Sequence, residues 1–216
     1  MEGDVDFLAE FHDLQEGLKK RLFKKIDYAA LAEQFLDLGN TMRREGLATN
    51  AAMCYIEAAQ CYRAIKNSAK DAHYEHEAGR LLWKTQLDSE LSDPVGIIGG
   101  FQAPFRQLVP DAEYSYINAI ETYLEMGEYQ MASTLYSELA SNFLALDKKE
   151  QAAIYYEKAA QLLERECPMI AASCIQHSIY CKIQLGLYED AHEVVYLLQN
   201  VQCSAACSTL PKAISL

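Results

Sequence analysis

A short pattern of small and aromatic residues returns along this chain at helical spacing, and it restricts the possible folds more than any other feature. Tyr116, Ala119, Ile120, Tyr123, Gly127, Ala132, Tyr136 and Leu139 set it out. Ile175, Ile179, Gly186, Ala191, Val195 and Leu198 repeat it, and Phe35, Leu38, Gly39, Met42, Gly46, Ala51, Tyr55 and Ala58 show it most completely. The physical sense is close packing: small residues let two helices approach, and large ones fill the space beside them. Each helix pair then leaves an apolar face for the next. A further frame, Tyr136, Leu139, Ala140, Phe143, Ala152, Tyr156 and Ala159, uses the second helix of one pair as the first of another. Helix pairing is therefore clearer than repeat boundaries.

These spacings agree with the thirty-four-residue tetratricopeptide pattern. They predict an all-α, tetratricopeptide-like helical-hairpin solenoid of about nine helices over residues 1–200. Helices are expected at about 4–24, 27–45, 47–66, 69–87, 107–126, 129–146, 149–165, 168–185 and 188–200, with Gly46, Gly127, Pro168 and Gly186 as punctuation. Asp93-Pro94, Gly96, Gly99-Gly100 and Pro104 mark residues 88–106 as an inserted loop. Its apolar centre, Val95, Ile97, Ile98 and Phe101, either tucks onto the solenoid or serves as a hook ordered on a partner. It is no phosphate-binding loop, because no Gly-Lys-Ser/Thr follows. The tail, residues 201–216, is small and polar with Pro211 and is expected to be disordered.

Composition narrows the function classes. Half of the 216 residues are apolar, enough for a buried core, and the formal net charge is −12. That charge disfavours nucleic acid and anionic membranes, which require phosphate neutralisation by lysine and arginine. From Gln107 onward there are six basic and fourteen acidic residues, so this half is expected to attract a basic surface. The first helix runs the other way, with acids at its start and Lys19, Lys20, Arg21, Lys24 and Lys25 at its finish. This arrangement complements the helix dipole and reads as a solvated helix end or as a site for an acidic partner patch. Seven cysteines without a disulfide-framework spacing, and no secretory signal, point to a reducing compartment. No apolar stretch reaches the length of a membrane span.

Candidate chemistry is sparse. Cys174, His177 and Cys181 share a helix face, but ligands seven residues apart stand about 10 Å apart along a straight helix, too far for one ion with bonds near 2 Å. They read as small packing residues, as do Cys54 and Cys61. His73 and His76 share a face and read as exposed helical histidines. No nucleophile elbow, paired-cysteine motif or glycine-rich cofactor loop is present, so neither an enzyme nor a cofactor is expected. Most of the fourteen tyrosines fall on repeat positions and belong to the core or grooves.

The groove positions of such repeats are Glu33, Leu36, Asn40 and Arg43, then Tyr114, Ile117, Glu121 and Leu124, then Ser173, Gln176, Tyr180 and Ile183. Leu36 stands where chaperone-binding tetratricopeptide domains place a carboxylate-clamping lysine, so that clamp is not expected. The mixed lining suits a protein surface or helix. Partner contact is therefore expected from Lys19, Lys20, Arg21, Lys24, Lys25, Leu36, Asn40, Arg43, Ile97, Ile98, Phe101, Tyr114, Ile117, Glu121, Gln176 and Tyr180.

Ordered motifs carry a resemblance. Asp6-Phe7-Leu8, Leu18-Lys19-Lys20-Arg21, Glu33-Gln34-Phe35 with Leu38-Gly39, and Ala51-Ala52 with Cys54 open the series. Glu77-Ala78-Gly79-Arg80-Leu81, Gln151-Ala152-Ala153, Ala159-Ala160-Gln161-Leu162 and Ala171-Ala172 continue it. In this order they resemble the forty-kilodalton huntingtin-associated protein family over about residues 6–200. The resemblance implies a non-enzymatic, tetratricopeptide-like scaffold held between the helical-repeat domains of huntingtin and stabilising it. It also implies a link to early-endosome recruitment and motility through a small endosomal GTPase. Location would be cytoplasmic, with early-endosome association and a nuclear fraction. Members of that family continue past the point matching Asn200 with a low-complexity segment and more helices. The alternative is an attachment-protein-like adaptor of the membrane-fusion machinery, which shares a helical solenoid and an acidic surface.

Overall fold

One turn device shapes much of this chain. At Gly46, Lys66, Asp147 and Gly186 the backbone is left-handed, with φ of 81°, 58°, 57° and 75°. The N–H of the next residue bonds back across the helix end, from Leu47 to the Met42 carbonyl, Asn67 to Tyr62, Lys148 to Phe143 and Leu187 to Lys182, each at 2.9 Å. This closes a helix C-terminus and reverses the chain at once. Glycine takes the position without strain, whereas Lys66 and Asp147 hold a Cβ there against it.

The computed structural model describes residues 7–19, 26–92 and 108–196. Its helices are α1 (Phe7–Leu18), α2 (Tyr28–Arg44), α3 (Ala48–Ala64), α4 (Ser68–Ser92), α5 (Leu108–Glu125), α6 (Tyr129–Ala145), α7 (Lys149–Leu163) and α8 (Pro168–Gln184). A ninth, α9, occupies residues 188–196 of the described chain. There is no strand among the described residues. The all-α helical-hairpin class expected from the periodicity is what the structure shows. No described helix is long and apolar enough to cross a membrane.

Two helix ends differ from the sequence reading. Helix α1 stops at Leu18 and not near residue 24; residues 20–25 lie outside the described chain. Helix α4 runs to Ser92, so the first five residues of the expected loop are helical. The reason is local: no proline or glycine occurs from Asp88 to Ser92, and the first breaker, Pro94, restricts only the residue before it. Residues 93–107 and 197–216, which hold the rest of that loop and the tail, are also outside the described chain.

The chain divides into two compact units, Met1–Met126 and Gly127–Leu216. In the first, α2 and α3 meet so closely that a Cβ on Gly39 would lie 2.8 Å from the Tyr55 ring and 2.9 Å from Cys54 Cβ. Helix α4 continues the series, and α5 packs on it through Gly79, where a Cβ would stand 2.7 Å from the buried Tyr116 ring. Helix α1 lies against α2 and α3: Phe11 meets Phe35 edge-on at 5.7 Å, and Gln15 donates to Glu57 at 2.8 Å.

The second unit is built by the same rule. Ala132, Ala140, Ala152, Ala153, Ala159, Ala160, Ala171 and Ala172 are buried between helices. Where α6 meets α7, Ser133 donates to the Ala159 carbonyl at 2.9 Å. Tyr155 stacks on Phe143 at 5.5 Å and on Tyr136 at 6.0 Å. Glu157 ties α7 to α8, accepting from Ser178 at 2.7 Å and pairing with Lys182 at 2.8 Å. Pro168 opens α8 at its first turn, where its missing N–H costs no hydrogen bond.

Candidate partner-docking surfaces

In the first unit the sequence-predicted positions on α2 join residues of α3 and α4 that the sequence did not single out. Tyr74 lies between Tyr55 and Tyr62, at ring separations of 5.9 and 5.7 Å. Charges surround this aromatic floor. Tyr62 donates to Glu33 at 2.6 Å, and Lys70 reaches both Glu33 at 3.2 Å and the Tyr62 oxygen at 3.1 Å. The Tyr62 hydrogen bond, helped by Lys70, holds the Glu33 carboxyl below its ordinary range. Further along α2, Tyr55 donates to Asn40 at 2.7 Å, and Arg43 and Arg80 both pair with Glu77, at 3.4 and 3.2 Å. The result is an aromatic floor with alternating charge at its rim, a surface suited to a polar protein contact.

Leu36 requires a correction. It was expected as an apolar anchor for a partner, yet its side chain is only 5 % exposed. Its position falls on the buried stripe of α2, with Ala32, Phe35, Leu38, Gly39 and Met42. Asn40 and Arg43 remain at the surface, already engaged with Tyr55 and Glu77. Lys19 is exposed and pairs with Glu16 on its own helix. Lys20, Arg21, Lys24, Lys25, Ile97, Ile98 and Phe101 lie outside the described residues.

Beneath the rim sits a charge cluster that links three helices. Arg63 of α3 donates to Asp71 at 2.8 and 2.9 Å and to Glu75 at 3.0 Å, both on α4. Asn118 of α5 adds a bond to Glu75 at 3.3 Å. Burial pushes the Glu75 carboxyl above its ordinary range despite the attraction of Arg63. Its second oxygen, Oε2, is buried without a hydrogen-bond partner. The cluster is an internal tie. Sequence spacing could have hinted only at its local part, Asp71 and Glu75 one helical turn apart.

Helix α5 presents Tyr114, 67 % exposed, with Glu121 exposed and Ile117 half-buried on the same side. In the second unit Gln176 and Tyr180 of α8 are exposed, as are Ser173 and Ile183. Five tyrosines are exposed, Tyr114 and Tyr180 at expected groove positions and Tyr129, Tyr188 and Tyr196 outside them.

Cys174 and Cys181 are buried in α8, and His177 instead stacks on Tyr156 at 5.0 Å, with Nδ1 2.8 Å from the Ser173 carbonyl. Among the described residues no three His, Cys, Asp or Glu side chains are placed to hold a metal ion. Burial raises the thiols of Cys54 and Cys61 to about 12 and about 11, which disfavours the reactive thiolate. His76 is half-buried edge-on against Tyr116 at 5.2 Å and not exposed as expected, because α5 packs over it.

These surfaces define an all-α helical-hairpin protein that presents polar and apolar helix faces. No family model matches the chain. The 40-kDa huntingtin-associated protein of Rattus norvegicus is 27 % identical to it over 196 residues, and that of Mus musculus 28 % identical over 196 residues. Each alignment covers 91 % of this chain and 50 % of the relative, so the chain spans about half the length of the curated relatives it matches. The chain is thus similar to the 40-kDa huntingtin-associated proteins, in line with the resemblance carried by the ordered motifs. The solved structure of BtubC (BKLC) from P. vanneervenii is also matched, at 19 % identity over 99 % of this chain and 98 % of that one. Its TM-score of 0.37 is too low to carry an argument.

Proposed function

We propose that this chain is a non-enzymatic scaffold that binds and stabilises huntingtin. The observation that carries the reading is the kinship over 91 % of the chain with two proteins named for that association. The physical support is a set of helix faces with exposed polar and apolar groups: the charged rim over Tyr55, Tyr62 and Tyr74, the Tyr114 side of α5, and the Gln176–Tyr180 side of α8. Work in the cytoplasm and at early endosomes, with a small GTPase as a further partner, belongs to the same reading. Co-expression with huntingtin followed by size exclusion at physiological salt tests it. A stable 1:1 or higher complex is expected. A folded chain that elutes apart from huntingtin overturns the assignment, and capture of the membrane-fusion ATPase in its place would favour the attachment-protein reading.

A further inference from the structure

The two compact units share one internal frame. Helices α2 and α6 have 17 residues each and begin 101 positions apart, at Tyr28 and Tyr129. Left-handed Gly46 and Asp147 match at the same interval. So does a hydrogen bond between paired helices, Tyr55 with Asn40 at 2.7 Å and Tyr156 with Ser141 at 2.9 Å. After the next turn the interval is 100, and buried Ala72, Glu75 and Ala78 of α4 answer to buried Ala172, Ile175 and Ser178 of α8. The outward positions of α4 and α8 therefore correspond one to one. On α4 they are Lys70, His73, Glu77, Arg80 and Lys84, all exposed except half-buried Glu77. On α8 they are Ile170, Ser173, His177, Tyr180 and Gln184, all exposed. Beside these stripes, Glu33 and Arg43 of α2 match Thr134 and Leu144 of α6. The second unit keeps the frame without a carboxylate, lysine or arginine at any of these positions, so the fold does not require the charges of the first.

We propose that the α4 stripe, with Arg43 beside it, docks an acidic helix of a partner protein. Charge complementarity names the occupant. Lys70 and Glu33 pair at 3.2 Å and cancel. Towards the other end stand three cations, Arg43, Arg80 and Lys84, and one carboxylate, Glu77, which accepts from Nη1 of both arginines at 3.4 and 3.2 Å. The surplus within this set is two positive charges, on a chain whose net charge is −12. Both arginine side chains are about half exposed, so a carboxylate from outside can reach the guanidinium forks. The stripe advances by three and four residues alternately over about 21 Å, and glutamates at the same steps on a second helix would meet it along that length. On α8 the matching positions offer no such pairing, which separates the two units by the partner chemistry they accept.

This proposal rests on the scaffold reading and names the chemistry of the segment that the charged rim would hold; it is tested on the chain alone, so the two fail separately. The probe is a fluorescein-labelled helical peptide of about 18 residues with glutamates at three- and four-residue steps on one face. Fluorescence anisotropy at about 50 mM salt is expected to show micromolar binding, weakened about tenfold or more at about 500 mM. Arg80→Tyr with Lys84→Gln installs the residues of the second unit and is expected to weaken binding about tenfold or more, with unchanged circular dichroism. Arg165→Tyr with Lys158→Gln removes the same charge from the second unit and is expected to leave binding within about twofold. No binding by the wild type up to about 1 mM, binding indifferent to salt, or equal weakening by the two double variants would each overturn the proposal. Co-elution with huntingtin alongside any of these results would leave the scaffold reading standing.

Discussion

Arg63→Met removes the guanidinium that pairs with both Asp71 and Glu75. Both carboxylate side chains are nearly inaccessible, 3 % and 2 % exposed, while the Arg63 side chain is 48 % exposed. Breaking a buried ion pair from one side costs about 3–5 kcal/mol, and the partly solvated guanidinium places this one near the lower end, at roughly 2–3 kcal/mol. At about 2–4 °C per kcal/mol, Tm is expected to fall by roughly 4–12 °C at pH 7. The pH dependence carries the sign. Burial raises the Glu75 carboxyl in the folded chain, so its contribution to stability is fully present below its ordinary value and is lost as pH rises through the folded value. Removing Arg63 takes away the attraction that opposes burial at Glu75 and raises that carboxyl further, so the penalty is expected to shrink as pH is lowered from 7 towards 5. Glu75→Gln, which fixes the neutral form in the same shape, is expected to gain on the wild type as pH rises over that interval. Thermal denaturation of the three proteins between pH 5 and 8 measures this. An Arg63→Met protein within about 0.5 kcal/mol of wild type at pH 7, or with a pH-independent penalty, would refute the reasoning.

The close approach of α2 and α3 gives a paired test at glycine. Gly39→Ala drives a methyl to 2.9 Å from Cys54 Cβ, which cannot move without its helix, so overpacking outweighs the helix-propensity gain and about 1 kcal/mol is expected to be lost. Gly17→Ala meets only the tip of Leu31, which can swing away, and is expected to be neutral or to gain up to about 1 kcal/mol. Urea melts of both variants decide it; equal effects would mean that the α2–α3 contact is looser than it is drawn. Lys66→Gly relieves a left-handed residue, φ 58°, at the α3–α4 turn and is expected to stabilise by about 1 kcal/mol in the same assay. Loss of stability there would count against this turn geometry.

Most helix boundaries could be read from the sequence because the signals are local: a small residue at the crossing, a left-handed residue at the turn, proline at the first helical position. What escaped was set by the third dimension. Leu36 occupies a groove position in the repeat template, yet the helix rotation here places it on the buried stripe between Phe35 and Leu38, and a template cannot see rotation. The Glu33–Tyr62–Lys70 cluster joins three helices across separations of 29 and 37 residues. Its members are unremarkable one by one, and only the stacking of the hairpins brings them together. The same holds for Arg63, whose partners sit across a turn. The scarcity of charge on α8, where Lys182 stands alone, is the reverse case, because it was visible in the sequence but had no meaning until the helix's outer face was known. A helix so poor in charge is ordinary when buried on all sides and points to a contact when one side faces solvent. Exposure supplies the missing step, since it shows that Met169, Tyr180 and Ile183, side chains of core composition, stand on the outer side of α8 and not in its packing against α7.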